Sequence, residues 1–121
     1  MTLTNQTLDK WVEDLQHEID ENWTHGAVGT DDTEPDPSHE ELFAEVLRKE
    51  RQDILEEFGK TTLSFWISSL EANGETLKEF GFFDDDTEGE MKVREIFDGI
   101  DKSSEIELWF DVNVTVSTEE V

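Results

Sequence analysis

The residues able to do chemistry in this sequence are mostly carboxylates: 33 Asp and Glu against 9 Lys and Arg, a formal net charge of −24 over 121 residues. Carboxylates four positions apart on a helix stand roughly 6 Å from one another. Duplex DNA presents one negative charge per about 1.7 Å of axis, so rows of acids on a folded surface imitate a phosphate path. Asp9, Glu13 and Asp20, with Asp14 and Glu21 beside them, form one candidate row. Asp31, Asp32, Glu34 and Asp36 form a second patch, and Asp84, Asp85 and Asp86 a third. Such a surface repels nucleic acid and attracts the basic proteins that handle it. With no Cys there is no disulfide, thiol nucleophile or thiolate metal site. His17, His25 and His39 stand apart, without a His-Glu-x-x-His pair, a Gly-rich phosphate loop or a Gly-x-Ser-x-Gly turn. Paired carboxylates for acid–base work carry no signal where acids are this abundant. The expectation is a protein that is not an enzyme and holds no cofactor.

One segment has the spacing of a cation site. Residues 84–95 read D-D-D-T-E-G-E-M-K-V-R-E. The run resembles the calcium loop of the EF-hand family, with Asp84, Asp86 and Glu88 at positions one, three and five, Gly89 at six, Met91 at the apolar eighth and Glu95 at the twelfth. That resemblance implies calcium held by Asp84, Asp86, Glu88, Glu90 and Glu95. It covers about 20 residues, counting Phe80 and Phe83 where the incoming helix of the family places aromatics. Glu replaces the usual Asp or Asn at position five, no second loop is recognisable, and Asn73-Gly74 leaves little room for an incoming helix. The preferred reading of Asp84 to Gly89 is an acidic turn joining two strands of a meander.

These residues need elements to carry them. Leu8, Trp11, Val12, Leu15, Ile19 and Trp23 fall on one stripe at helical spacing, which predicts an amphipathic helix over Leu8–Trp23. Residues 24–37 hold both prolines, two glycines and four acids, and read as an acidic loop. Ser38 with Glu41 makes a capping-box pattern ahead of Leu42, Phe43, Val46, Leu47, Ile54, Leu55 and Phe58, which predicts a second helix ending at Gly59. Arg48, Lys49 and Arg51 then compensate neighbouring acids along that helix. From Leu63 the period becomes two, and Asn73-Gly74 suggests a hairpin to a second arm over Thr76–Phe83. Met91–Ile100 fits either a short helix or a strand. Ile106 to Val116 alternates cleanly and predicts a half-buried strand.

The resulting expectation is one α+β domain over residues 1–121: two N-terminal amphipathic helices packed on a 3–4-stranded antiparallel sheet, a short helix or strand before the last strand, and a tail at 117–121. Trp66 and Trp109 occupy the outward phase of their strands, where they either pack under a helix, the favoured reading, or form exposed anchors for a partner. There is no basic leader, no run of about 18 apolar residues and no basic amphipathic stretch, which points to the cytoplasm, or a host's if the protein is viral, and away from membranes.

Charge is even along the chain, 17 acids and 5 bases in residues 1–60 and 16 and 4 in the rest. The leading functional expectation is therefore an acidic inhibitor, monomeric or homodimeric, that binds a basic nucleic-acid-handling protein such as a nuclease, a restriction or CRISPR effector, or a DNA-binding protein. It would act as a DNA mimic of the phage anti-restriction or anti-CRISPR type, or as a toxin-immunity protein. The alternatives are a domain adapted to concentrated salt, with an unrelated role, and a lone calcium-binding module of the EF-hand kind.

Overall fold

The computed structural model describes residues 2–116. One helix, α1 (Asn5–Asn22), is followed by seven strands: β1 (His25–Gly29), β2 (Glu45–Glu50), β3 (Asp53–Glu57), β4 (Lys60–Ile67), β5 (Thr76–Phe83), β6 (Met91–Asp101) and β7 (Leu108–Thr115). All pairings are antiparallel and form two sheets, ordered β2-β1-β5-β6 and β3-β4-β7. The class is mixed α+β, with one helix where two were expected.

Thr4 starts α1 by accepting the Thr7 N–H on its hydroxyl, and the helix stops at Trp23, whose N–H reaches Ile19 O. Only part of the expected stripe is covered. Val12, Gln16 and Ile19 are buried, whereas Trp11 and Leu15 stay 51% and 52% exposed. Gln16 explains the shift: its amide donates to Glu57 O at 2.7 Å and to the Thr61 hydroxyl at 3.2 Å, and its carbonyl accepts from Gly59 N at 3.2 Å. The helix is docked by a polar residue onto the β3–β4 turn, which rotates its large apolar side chains outward.

The second predicted helix, Ser38–Phe58, does not form. Its first part is loop and the rest is β2 and β3. Tertiary pairing overrides local period here: β1 needs a neighbour on its outer side, and Val28↔Leu47 and Ala27↔Arg48 supply it. Ser38 is no helix cap; its N–H and hydroxyl donate to Asp36 Oδ1 in a local turn. The acidic loop also starts later than expected, because His25–Gly29 forms a central strand of the larger sheet. Its small residues are what that place requires. A Cβ on Gly26 would collide with the Phe65 ring, so Gly brings the two sheets together there.

The predicted hairpin is absent as well. β4 pairs with β3 and β7, while β5 crosses to the other sheet and pairs with β1 and β6. Asn73-Gly74 belongs to that crossing, with Gly74 at φ 87°. The 91–100 segment is strand, not helix. The last strand keeps its predicted alternation, with Phe110, Val112 and Val114 inward and Asp111, Asn113 and Thr115 exposed. The sheets face each other across Val28, Leu63, Phe65, Ile67, Leu77, Phe80 and Phe82, with Ile19 of α1 joining the cluster. Phe80 stacks on Phe110 at 5.2 Å and meets Phe65 edge-on at 5.7 Å. Burying each such ring contributes about 1.5–3 kcal/mol. The predicted tail at 117–121 lies outside the described residues.

Candidate functional site

The three acidic groups read from the sequence have different surroundings. Asp9 and Glu13 lie on the exposed side of α1, one turn apart. Asp14 contacts Lys10 at 3.5 Å, Glu21 contacts His17 at 3.7 Å, and Asp20 takes a hydrogen bond from Arg51 at 3.2 Å. Arg51 also reaches Trp23 O at 3.1 Å, so Asp20 is tied into the exit of the helix. In the turn between β5 and β6, Asp84 accepts the Glu90 N–H at 2.7 Å, and Asp85 and Asp86 are exposed. Lys92 links this turn to α1, its ammonium 3.6 Å from Glu18, 3.9 Å from Asp84 and 3.4 Å from Glu90. The turn is thus tied to α1 through Glu18, which lies on the opposite side of the helix from Asp9 and Glu13.

The loop acids are largely structural. Glu79, fully buried on the outer face of β5, accepts N–H groups from Asp31 (3.2 Å), Phe43 (3.0 Å) and Ala44 (2.9 Å), and Nε of Arg94 at 3.0 Å. Arg94 in turn donates to Thr33 O and lies 4.8 Å over the Phe43 ring. One buried ion pair thus straps residues 31–44 across the larger sheet, and Leu42 of that segment packs with Ala27 and Phe83. Gly29 lies beneath this strap, where a Cβ would strike Ala44 O and the Glu79 carboxylate. The hydroxyl and N–H of Thr33 hold the Asp31 carboxyl below its usual range, and those of Ser38 do the same for Asp36. Asp32 stands 3.8 Å from Lys78, and Glu34 is exposed.

The segment resembling a calcium loop is strand, turn and strand. Phe83↔Met91 closes the β5–β6 hairpin, and Glu95 lies within the ladder opposite Phe80. The turn's carbonyls face a cation already supplied by the chain: Arg48 donates to Asp85 O at 3.2 Å and Glu88 O at 2.6 Å, while its guanidinium stacks 3.6 Å over Phe83 and pairs with Glu45. Among the described residues, no three His, Asp or Glu side chains are grouped as metal ligands. Arg48 and Phe83 also floor an open cleft of about 680 Å³ under His39 and Glu41.

The second element of interest is the outer face of the smaller sheet. Trp66 and Trp109 are register partners whose rings stack at 5.8 Å. Lys49 lies 4.9 Å over Trp66 and pairs with Glu71 at 2.7 Å, but Trp109 remains 59% exposed. Among the described residues no helix covers this face, contrary to the favoured sequence reading. Below the pair, Ser64 donates to Asp111 and Thr62 to Asn113. The Trp pair is flanked by carboxylate and hydroxyl groups.

The three histidines do not converge. His25 bonds the Thr24 hydroxyl, His39 packs on Phe43 at 4.7 Å, and His17 is on the helix surface. Sequence reasoning missed Glu79, Arg94 and Arg48. The charges at Lys78 and Glu79, inside the otherwise apolar run Leu77 to Phe83, are the signal that could have marked Glu79. Among the described residues, no helix is long and apolar enough to cross a membrane. No protein-family model and no curated protein matches the chain.

Proposed function

We propose that the protein is a non-enzymatic binding protein that acts by contact on a basic, nucleic-acid-handling partner and blocks its nucleic-acid surface. The observation that supports this most is the use of the cations. Among the described residues, seven of the nine Lys and Arg contact carboxylates of the same chain at 3.9 Å or less. Glu79–Arg94, Lys49–Glu71 and Arg51–Asp20 secure the fold, and the surplus acids are left on the outside. Asp9 and Glu13 of α1 and Asp86 of the β5–β6 turn are exposed carboxylates with no such structural duty, and they are the residues proposed to meet the partner. The field they create steers association and weakens with ionic strength.

The test is capture on the folded chain from a lysate of the source organism or its host, eluting with salt and with duplex DNA. A nucleic-acid-binding protein displaced by DNA supports the proposal, and Asp9→Lys, Glu13→Lys and Asp86→Lys together should weaken that complex about tenfold or more. Recovery of nothing from folded bait, or a partner indifferent to DNA and to the triple reversal, overturns it. A second reading, adaptation to concentrated salt, is favoured by the even spread of the carboxylates, −12 in each half of the chain. It predicts unfolding when salt is withdrawn, which a melting series across salt concentrations measures.

A further inference from the structure

Four strands of the two sheets lie at an edge: β2, β6, β3 and β7. An edge strand offers unpaired N–H and C=O groups and joins another strand unless a bulge, a charge or a short length prevents it. Three of these edges carry such guards. The β1–β2 register shifts at Val28/Gly29, and the β5–β6 register shifts at two places. β3 has only five residues, three of them acids. β7 has neither a register shift nor a short length. It pairs with β4 over eight consecutive residues without a shift, from Lys60↔Thr115 to Ile67↔Leu108. It holds a single charge, Asp111, and no Lys, Pro or Gly, in a chain where 33 of 121 residues are acidic.

The register identifies which groups face outward. Val116 N–H bonds Gly59 O, which extends the same ladder by one pair. Backbone groups of an antiparallel strand point alternately to its two sides, so Leu108, Phe110, Val112 and Val114 bond β4. Trp109, Asp111, Asn113 and Thr115 direct theirs to the open edge, where among the described residues no strand lies.

We propose that this edge is the interface of a symmetric homodimer, β7 pairing antiparallel with β7 of a second copy so that Asp111 stands opposite Asn113. That register sets the one charge of the strand against an amide. Centring the pair on Asp111 would oppose two carboxylates, whereas centring it on Val112 sets each Asp111 carboxylate against an Asn113 amide and each Trp109 against a Thr115. It also places Phe110 against Val114 and Val112 against Val112 on the inner face, where all three are only half-buried in the single chain. The product is one continuous sheet, β3-β4-β7 joined to β7-β4-β3. Two bodies of −24 repel, so the dimer strengthens as salt screens them. A basic strand docked on the same edge would show the opposite salt dependence.

Sedimentation equilibrium of the full chain, from about 0.1 M to about 2 M sodium chloride, should move from the mass of one chain towards that of two. Asn113→Pro deletes an outward N–H and leaves the bonds to β4 in place. Asn113→Ala loses the same Thr62 hydrogen bond but keeps the N–H. The Pro variant should dimerise at least about tenfold more weakly than the Ala variant, the cost of an unmade backbone bond. If the Pro variant does not fold, amide exchange of the unaltered chain decides: Asp111 and Asn113 should be protected in high salt and not in low. The mass of one chain throughout, association that weakens with salt, equal dimerisation of the two variants, or a dimer with those amides unprotected overturns the proposal.

Discussion

Replacing Glu79 by Gln tests whether one buried carboxylate holds the strap over the larger sheet. Oε1 accepts from Phe43 N and Arg94 Nε, and Oε2 from Asp31 N and Ala44 N. Whichever way a Gln amide is turned, its NH2 faces two donors, and Arg94, 2% exposed at its side chain, loses its closest counter-charge. Breaking a buried pair on one side costs about 3–5 kcal/mol. A chain of this length loses about 0.25 kcal/mol of stability per kelvin near its midpoint, so the melting temperature should fall by about 12–20 °C. Thermal melts followed by Trp fluorescence measure the fall. Amide exchange at Asp31, Phe43 and Ala44 shows whether the strap opens first, as a locally unfolding unit. Adding Arg94→Met should cost less than the sum of the single changes, because the pair is then absent as a whole. A loss under about 3 °C with those amides still protected would refute the reasoning.

Other outcomes follow from the same contacts. Burial raises the Glu71 carboxyl, but hydrogen bonds from Lys49 and Ser68 outweigh it and hold the group below 4.5. A depressed folded value contributes stability above the unfolded pKa and loses it as pH falls through the folded one. Glu71→Gln should therefore lower the melting temperature at neutral pH and flatten its decline below pH 4.5, read from melts in a pH series. Millimolar calcium should leave the melting temperature of the chain and of Glu95→Gln unchanged, because Arg48 takes the turn carbonyls and Glu95 lies in the ladder; a rise abolished in the variant would restore the calcium-loop reading. Lys102, 2% exposed, donates to Asn73 Oδ1 and Ser103 O and ties the crossing loop to the end of β6. Lys102→Ala should expose the amides of Gly74 and Glu75 to exchange before the core melts.

Local pattern alone determined the features that depend on neighbours in the chain. The helical spacing from Leu8 to Ile19 and the strict alternation from Leu108 to Thr115 are properties of single segments. So is the overall charge of −24. Tertiary structure decided wherever a segment had two acceptable local states. Leu42 to Phe58 has apolar residues that suit a helix, yet Val28 and Ala27 need strand partners, and Leu47 and Arg48 provide them. Gly26 and Gly29 read as loop because glycine usually marks a turn; here they permit close approach of Phe65 and of the Glu79 strap. Asn73-Gly74 carries a hairpin signature but lies where the chain changes sheets, since β4 gains its long ladder from β7, more than forty residues away. The candidate site divides in the same way. Sequence marked the acids, but only packing separates Asp31, Asp36 and Asp20, which hold the fold, from Asp9, Glu13 and Asp86, which face outward. A carboxylate's role depends on which donors the fold brings to it, and those donors come from distant parts of the chain.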